Sequence, residues 1–147
     1  MAIWKQRVDL ATANAWSRRT LMQAIGIRIT EIGDDFLRGS MPVDDRTRQP
    51  YGILHGGASV ALAETLGSTA AMLCCEDGTA AVGLDINANH LRAVREGTVT
   101  GTARPIHIGR STQVWEIRIV TEAADLVCVS RLTMAVVPGA AFALRKP

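Results

Sequence analysis

Residues 52–75 read GILHGGASVALAETLGSTAAMLCC. Between Arg48 and Glu76 the chain carries one formal charge, Glu64. The run predicts a long helix from about Gly56 to Cys75, with Gly78 of Glu76-Asp77-Gly78 placed where a helix stop is expected. A helix apolar on nearly all sides is a buried helix. A carboxylate inside it carries a desolvation cost unless something compensates. Set behind His55-Gly56-Gly57, Glu64 reads as a catalytic base or nucleophile.

The flanks supply the rest of the fold. Upstream, Asp9 to Met22 predicts an amphipathic helix with Trp16 on its apolar side. Ile25 to Ile32 and Phe36 to Val43 predict a hairpin around Gly33-Asp34-Asp35, and Asp44 to Tyr51 a polar loop. Downstream come four strand-like runs: Ala80 to Leu91, Thr98 to Ile106, Gln113 to Thr121 and Leu126 to Val137. Glu96-Gly97, Ile108-Gly109 and Ala124-Asp125 supply the turns. In the last run Leu126, Cys128, Ser130, Leu132, Met134 and Val136 share one face. No role is assigned to the segment after Pro138. This order predicts an α+β fold in which a curved antiparallel sheet wraps one long central helix, the outline of the hot-dog fold.

Composition agrees with a single domain over residues 1–147. Of the 147 residues 48% are hydrophobic and 20% charged, a globular balance. A net charge of +2 is too small to indicate a nucleic-acid partner. The three cysteines, Cys74, Cys75 and Cys128, form no disulfide framework and suit a reducing cytosol. The start, Met1-Ala2-Ile3-Trp4-Lys5, has no apolar signal region, so a cytoplasmic protein is expected. Ser59, Glu64, Thr65, Ser68 and Thr69 argue against reading the apolar run as a membrane span.

Three clusters carry candidate chemistry. The first is the helix entrance. N–H groups of a first turn lack intrahelical acceptors and sit at the positive end of the dipole. Gly56 and Gly57 would admit a ligand oxygen close to the backbone, where an oxyanion would be stabilised. The same residues also fit a tight helix start. Gln49 has an amide able to donate to a carbonyl, or is an ordinary loop residue. His55 either orients that carbonyl or caps the helix. Ser68, one turn past Glu64, either holds the carboxylate or a water, or bonds back to its own helix. The second cluster runs from Asn87 through His90, Leu91, Arg92 and Ala93 to Arg95. The third is His107-Ile108-Gly109-Arg110-Ser111-Thr112. Both present basic groups with polar partners, and arginine suits phosphate through its forked donors.

Geometry adds a constraint. Gly56 and Glu64 stand about 12 Å apart along a helix rising about 1.5 Å per residue. One helix cannot bring both to one carbonyl carbon, but two antiparallel helices related by a twofold axis can. A homodimer with two shared active sites follows.

The pattern Gln49, His55-Gly56-Gly57, Glu64, Ser68 resembles the hot-dog acyl-CoA thioesterases. Ile3-Trp4-Lys5, Met41-Pro42-Val43-Asp44, Leu54-His55-Gly56-Gly57-Ala58-Ser59, Ile86-Asn87-Ala88-Asn89-His90 and Arg95-Glu96-Gly97 extend the likeness. They are similar to the branch holding 1,4-dihydroxy-2-naphthoyl-CoA thioesterases and the proofreading thioesterases of enterobactin synthesis. The resemblance implies an acyl-CoA substrate, aromatic or medium-chain, with menaquinone biosynthesis as one setting. It implies Glu64 as nucleophile or general base, Gly56 as carbonyl-polarising backbone, and Gln49 and His55 as positioning groups. It maps coenzyme A contacts to Gly83, to His90, Leu91, Arg92 and Ala93, and to His107 through Thr112. It implies no metal, no cofactor and a homotetramer built as a dimer of dimers. Two alternatives compete: a hot-dog hydratase or dehydratase using histidine with a carboxylate, and a non-catalytic acyl-CoA-binding module. The first is disfavoured by Gly-Gly directly after the histidine, the second by a buried carboxylate that binding alone would not need.

Overall fold

In chain order the elements are α1 (Leu10–Ala15), α2 (Leu21–Ala24), β1 (Arg28–Ile32), β2 (Leu37–Pro42), α3 (Gly56–Leu73), β3 (Thr79–His90), β4 (Thr98–Ile108), β5 (Thr112–Val120) and β6 (Leu126–Pro138), followed by a 3-10 turn at Gly139–Ala141. The structure is a computed structural model and describes residues 1–144; the last three residues of the expected domain, 145–147, lie outside it. Six strands pair antiparallel in the order β1-β2-β4-β5-β6-β3, which leaves β1 and β3 at the edges. Helix α3 packs against five of them, and the expected hot-dog fold is what forms.

Alternation decides which face of the sheet meets the helix. On β5 the inward set is Gln113, Trp115, Ile117 and Ile119, all buried. On β6 it is Cys128, Ser130, Leu132 and Met134, four of the residues assigned to one face from the sequence, while Arg131 faces out. The α3 side contributes Leu62, Ala63, Leu66, Ala70, Ala71 and Leu73. Small residues set the closeness of the approach. Gly39 and Gly101 are register partners across β2 and β4. A Cβ on either would come within 2.7 Å of a Leu66 methyl, so the pair forms a notch that seats this leucine. Gly67 does the reverse, because a Cβ there would meet Leu132 Cδ2 at 2.6 Å. With the interior packed close to crystal density, these contacts fix the rotation of α3 about its axis.

Both helix ends are tied down. His55 is the N-cap. At the other end the Leu73 carbonyl accepts the N–H groups of Lys5 and Gln6 at 2.8 and 3.0 Å. The same N-terminal strap lays Trp4 parallel to buried Trp115, ring centroids 6.4 Å apart, with its Nε1–H donating to the Gly33 carbonyl at 2.7 Å. Trp115 in turn donates to buried Gln113, whose amide donates to the Ala71 carbonyl. A polar pair inside the core is thereby satisfied.

Two expected boundaries are corrected. The single helix over Asp9 to Met22 is two short ones. Ser17 Oγ donates to the Asn14 carbonyl and Thr20 Oγ1 to the Ser17 carbonyl, both at 2.6 Å, and Arg19 takes φ 58°. Such local hydroxyl bonds offer the backbone an alternative to the helix ladder. The first strand begins at Arg28 rather than Ile25, because Gly26 turns with φ 77° and the Ile27 N–H still closes onto the Met22 carbonyl.

Candidate active site

The helix entrance forms one half of the site. His55 Nδ1 accepts the Gly57 N–H at 2.8 Å, so His55 caps α3. Its carbonyl accepts the N–H groups of Ala58 and Ser59. Among the described residues this leaves the Gly56 N–H as the first-turn donor without an acceptor. The cap therefore selects which of the two glycines can serve an incoming oxygen. Gly56 also faces His90, whose Nε2 lies 2.9 Å from where a Cβ would stand. Only glycine lets the imidazole and the helix start approach so closely. Gln49 sits in the loop before the helix, its Oε1 bonded to the Tyr51 N–H. The part of its amide that remains is the donor, Nε2.

A cleft of about 400 Å³ opens here, lined by Gln49, Gly56, Ser59, His90, Leu91, Arg92 and Ala93 among others. The structure thus gathers two of the three candidate clusters. Ser59 was not singled out from the sequence; it stands three residues into the helix, on the Gly56 face, and is buried. Arg92 lies within 3.7 Å of Asp125, both half-exposed, so in the free chain the proposed phosphate ligand has an acidic neighbour.

Glu64 is not in that cleft. It lies half-buried two turns further along α3, with Oε1 against the backbone of β3; a Cβ on Gly83 would sit 2.7 Å from it. Gly83 makes room for the carboxylate as Gly56 does for the imidazole. Among the described residues Glu64 has no hydrogen-bond or ion-pair partner, and neither the Ser68–carboxylate contact nor the bond back to the helix, two of the readings open for Ser68, is formed in the single chain. The Ser68 hydroxyl instead points to Met134 Sδ at 3.8 Å. The sulfur competes for the hydroxyl because β6 brings Met134 opposite Gly83.

The third cluster belongs to the Glu64 end. His107 and Ile108 close β4, Thr112 opens β5, and the turn is held by the Gly109 N–H on the Thr112 carbonyl at 2.9 Å. The Ser111 carbonyl accepts the Val136 N–H, which ties Arg110-Ser111-Thr112 to β6 beside Met134 and hence beside Gly83. His90 through Ala93 follow the opposite end of β3. One chain therefore separates the candidate residues into two sets: Gln49, Gly56, His90, Leu91, Arg92 and Ala93 at one end, Glu64, Ser68, Gly83 and His107 to Thr112 at the other.

The cysteines take no part. Burial, then the neighbouring Cys75, push the Cys74 thiol up to about 12, with Lys5 acting in the opposite direction. Burial likewise raises Cys75 and Cys128. Thiols held in their neutral form are poor nucleophiles. Among the described residues no helix is long and apolar enough to cross a membrane.

A half-buried carboxylate, a first-turn N–H with no acceptor among the described residues and a nearby loop amide donor lie along one sheet-wrapped helix. The thioesterase superfamily model matches residues 51–128, and the chain belongs to that superfamily. It is 51% identical over 134 residues to the 1,4-dihydroxy-2-naphthoyl-CoA hydrolase of Escherichia coli, covering 91% of this chain and 98% of the relative. It is 52% identical over 134 residues to the proofreading thioesterase EntH of Cronobacter turicensis, with the same coverage. Among solved structures a thioesterase of Haemophilus influenzae superposes with a TM-score of 0.91 at 53% identity, over 92% of this chain and 95% of that one. The resemblance read from the motifs is upheld, and the expectation of a thioester hydrolase is met at the level of the family.

Proposed function

We propose that the protein hydrolyses an acyl-CoA thioester, with an aromatic or medium-chain acyl group, in active sites shared between two copies of the chain. The observation that carries this reading is the division of the candidate residues between the two ends of α3. The carbonyl oxygen of the thioester accepts hydrogen bonds from the Gly56 N–H and Gln49 Nε2 of one copy. Glu64 of the second copy attacks the carbonyl carbon, or takes a proton from a water that does. The tetrahedral oxyanion is stabilised at the helix N-terminus. When water attacks, the C–S bond breaks to give the free acid, and the proton taken by Glu64 passes to the leaving sulfur. When Glu64 attacks, C–S cleavage leaves a mixed anhydride, which water hydrolyses to the free acid and the Glu64 carboxylate, a proton from that water ending on the coenzyme A thiol.

The sheet supports the pairing. β3 is an edge strand of 12 residues with a free row of backbone donors and acceptors, and it exposes Leu84 at 66%. Such an edge invites another strand. Gly83 and His90 lie equally far from the middle of Ile86-Asn87. Antiparallel pairing of two copies of β3 about that point sets Gly83 of one against His90 of the other, and so Glu64 of one against Gly56 of the other. Coenzyme A would then run between His90 to Ala93 of one copy and His107 to Thr112 of the other. Two such dimers could pair into a dimer of dimers, and the free cysteines suit a cytoplasmic setting.

His55 speaks against the hydratase alternative, since its Nδ1 is engaged in the cap. A thiol-release assay with benzoyl-CoA, 1,4-dihydroxy-2-naphthoyl-CoA and octanoyl-CoA tests the proposal. Turnover of at least one, lost in Glu64→Ala, supports it; release from none refutes it.

A further inference from the structure

A second cavity of about 400 Å³ lies along α3 beyond Glu64 and is not used by the chemistry above. Ser68 and Met72 of α3 and Ala81 of β3 form its inner wall. Ser68 is one helical turn beyond Glu64. Ala81 is two residues before Gly83, on the same face of the strand. The cavity therefore begins about one helical turn from Glu64, which does not itself line it. Trp16 lines it from the end of α1. Its outer side is made by Phe142 and Leu144, from the segment that follows β6.

That segment is anchored. The Gly139 N–H donates to the Gly78 carbonyl at 2.8 Å, and the Phe142 N–H to the Gly139 carbonyl at 3.0 Å. A Cβ on Gly139 would stand 3.1 Å from the Gly78 carbonyl oxygen, so the chain doubles back tightly where β6 ends beside the start of β3. The doubling-back carries Phe142 and Leu144 over the cavity. In the free chain they are 53% and 54% exposed. Two large apolar side chains on a short tethered segment gain little there unless something apolar fills the space beneath them. The lining of Trp16, Met72 and Phe142 suits an apolar or ringed group. A volume near the lower end of small-molecule sites, about 300–1,000 Å³, limits its length.

We propose that this cavity receives the acyl group of the substrate and that Phe142 and Leu144 are its specificity-determining outer wall. The inference rests on the thioesterase reading for the identity of the ligand. The wall covers a compact acyl group and obstructs a long one.

The experiment measures kcat/KM for benzoyl-CoA and lauroyl-CoA in the wild type, Phe142→Ala, Phe142→Leu and Phe142→Ala with Leu144→Ala. The expected result is a rise of about tenfold or more in the lauroyl to benzoyl ratio on removing the wall, with Phe142→Leu closer to wild type. A ratio within twofold of wild type in the double variant overturns the proposal. If the wild type releases thiol from neither of these nor from 1,4-dihydroxy-2-naphthoyl-CoA or octanoyl-CoA, octanoate binding is read instead from Trp16 emission, assigned with Trp16→Phe. Octanoate binding weakened about fivefold or more by Phe142→Ala then keeps the wall while the thioesterase reading fails. Binding unaffected by Phe142→Ala, or no change dependent on Trp16, overturns the wall as well.

Discussion

The first and third turns of α3 belong to one helix and have opposite characters. The first turn is electrophilic: an N-terminus with one uncommitted N–H, at Gly56, and a neighbouring amide donor, Gln49. The third turn holds the proposed nucleophilic end: the Glu64 carboxylate, set against Gly83 and, among the described residues, without a partner. Each is shaped by a glycine that admits a close neighbour. Neither can act on the same carbonyl as the other within one chain, about 12 Å apart along the helix axis. On the proposed reading, the difference teaches that the folded chain supplies half of each of two sites rather than the whole of one.

The most severe way to break this comparison is to remove the nucleophilic end. Glu64→Ala is expected to fold normally and to lower kcat for thioester hydrolysis by about 100-fold or more, in the range of acid–base effects. Circular dichroism and thiol release check the two halves of that statement. Near-wild-type turnover by the folded variant would dismiss Glu64.

Complementation sharpens the same point. Glu64→Ala and Gln49→Ala homodimers each carry two damaged sites. In a mixed dimer one site carries both lesions and the other neither. Co-refolding is expected to restore activity, up to about half of wild type per mixed dimer, by counting intact sites on a twofold arrangement. Absence of recovery, once subunit exchange has been demonstrated by mass spectrometry, would return Glu64 to its own chain's entrance.

A smaller effect is expected at the rim of the electrophilic end. Arg92→Ala should raise KM for acyl-CoA several-fold with little change in kcat, because a phosphate contact lies far from the reacting carbon. Asp125 lies near Arg92, so Asp125→Asn should move KM the other way. An equal loss with an acyl-pantetheine substrate lacking the nucleotide would exclude a phosphate role for Arg92.

The smallest effect lies remote from both ends. Asp9 caps α1, and the Thr12 N–H, then the Thr12 side chain, hold its carboxyl below its ordinary value of 3.8. A carboxyl lowered in the folded state adds stability above its unfolded value and loses it as pH falls through the folded one. Asp9→Ala is therefore expected to lower Tm slightly at pH 7, with the gap to wild type closing as pH falls through the lowered carboxyl, and to leave kcat unchanged.

How much of this was legible in the sequence depends on the range of the interaction involved. The long helix, the strand order along the chain and the lone carboxylate could be read because each is a local pattern of period 3.6 or 2, or a single charge in an apolar run. The helix break at Ser17 to Thr20 was missed because a helical hydrophobic period ran through it, while two hydroxyl-to-carbonyl bonds decided otherwise. The pairing of Gly39 with Gly101 could not be read, because nothing local joins residues on different strands. For the site, helical rise already separated Gly56 from Glu64, but the sorting of the second and third clusters between the two ends becomes visible only in the packing of the strands. Ser68 was placed with Glu64 by helical spacing, yet Met134 arrives from β6 and takes its hydroxyl. Phe142 and Leu144 carried no periodic signal at all.

The notch that Gly39 and Gly101 form for Leu66 has a consequence for how such a protein can change over generations. It clamps the middle of α3, so the direction of Glu64 is inherited from the sheet rather than from the residues that meet the substrate. Met72, Trp16 and the segment after β6 are then free to vary without misaiming the carboxylate. A lineage can try new acyl groups at one end of the helix while the bond-breaking geometry stays put, and the residues that permit this experimentation are two that have no side chain.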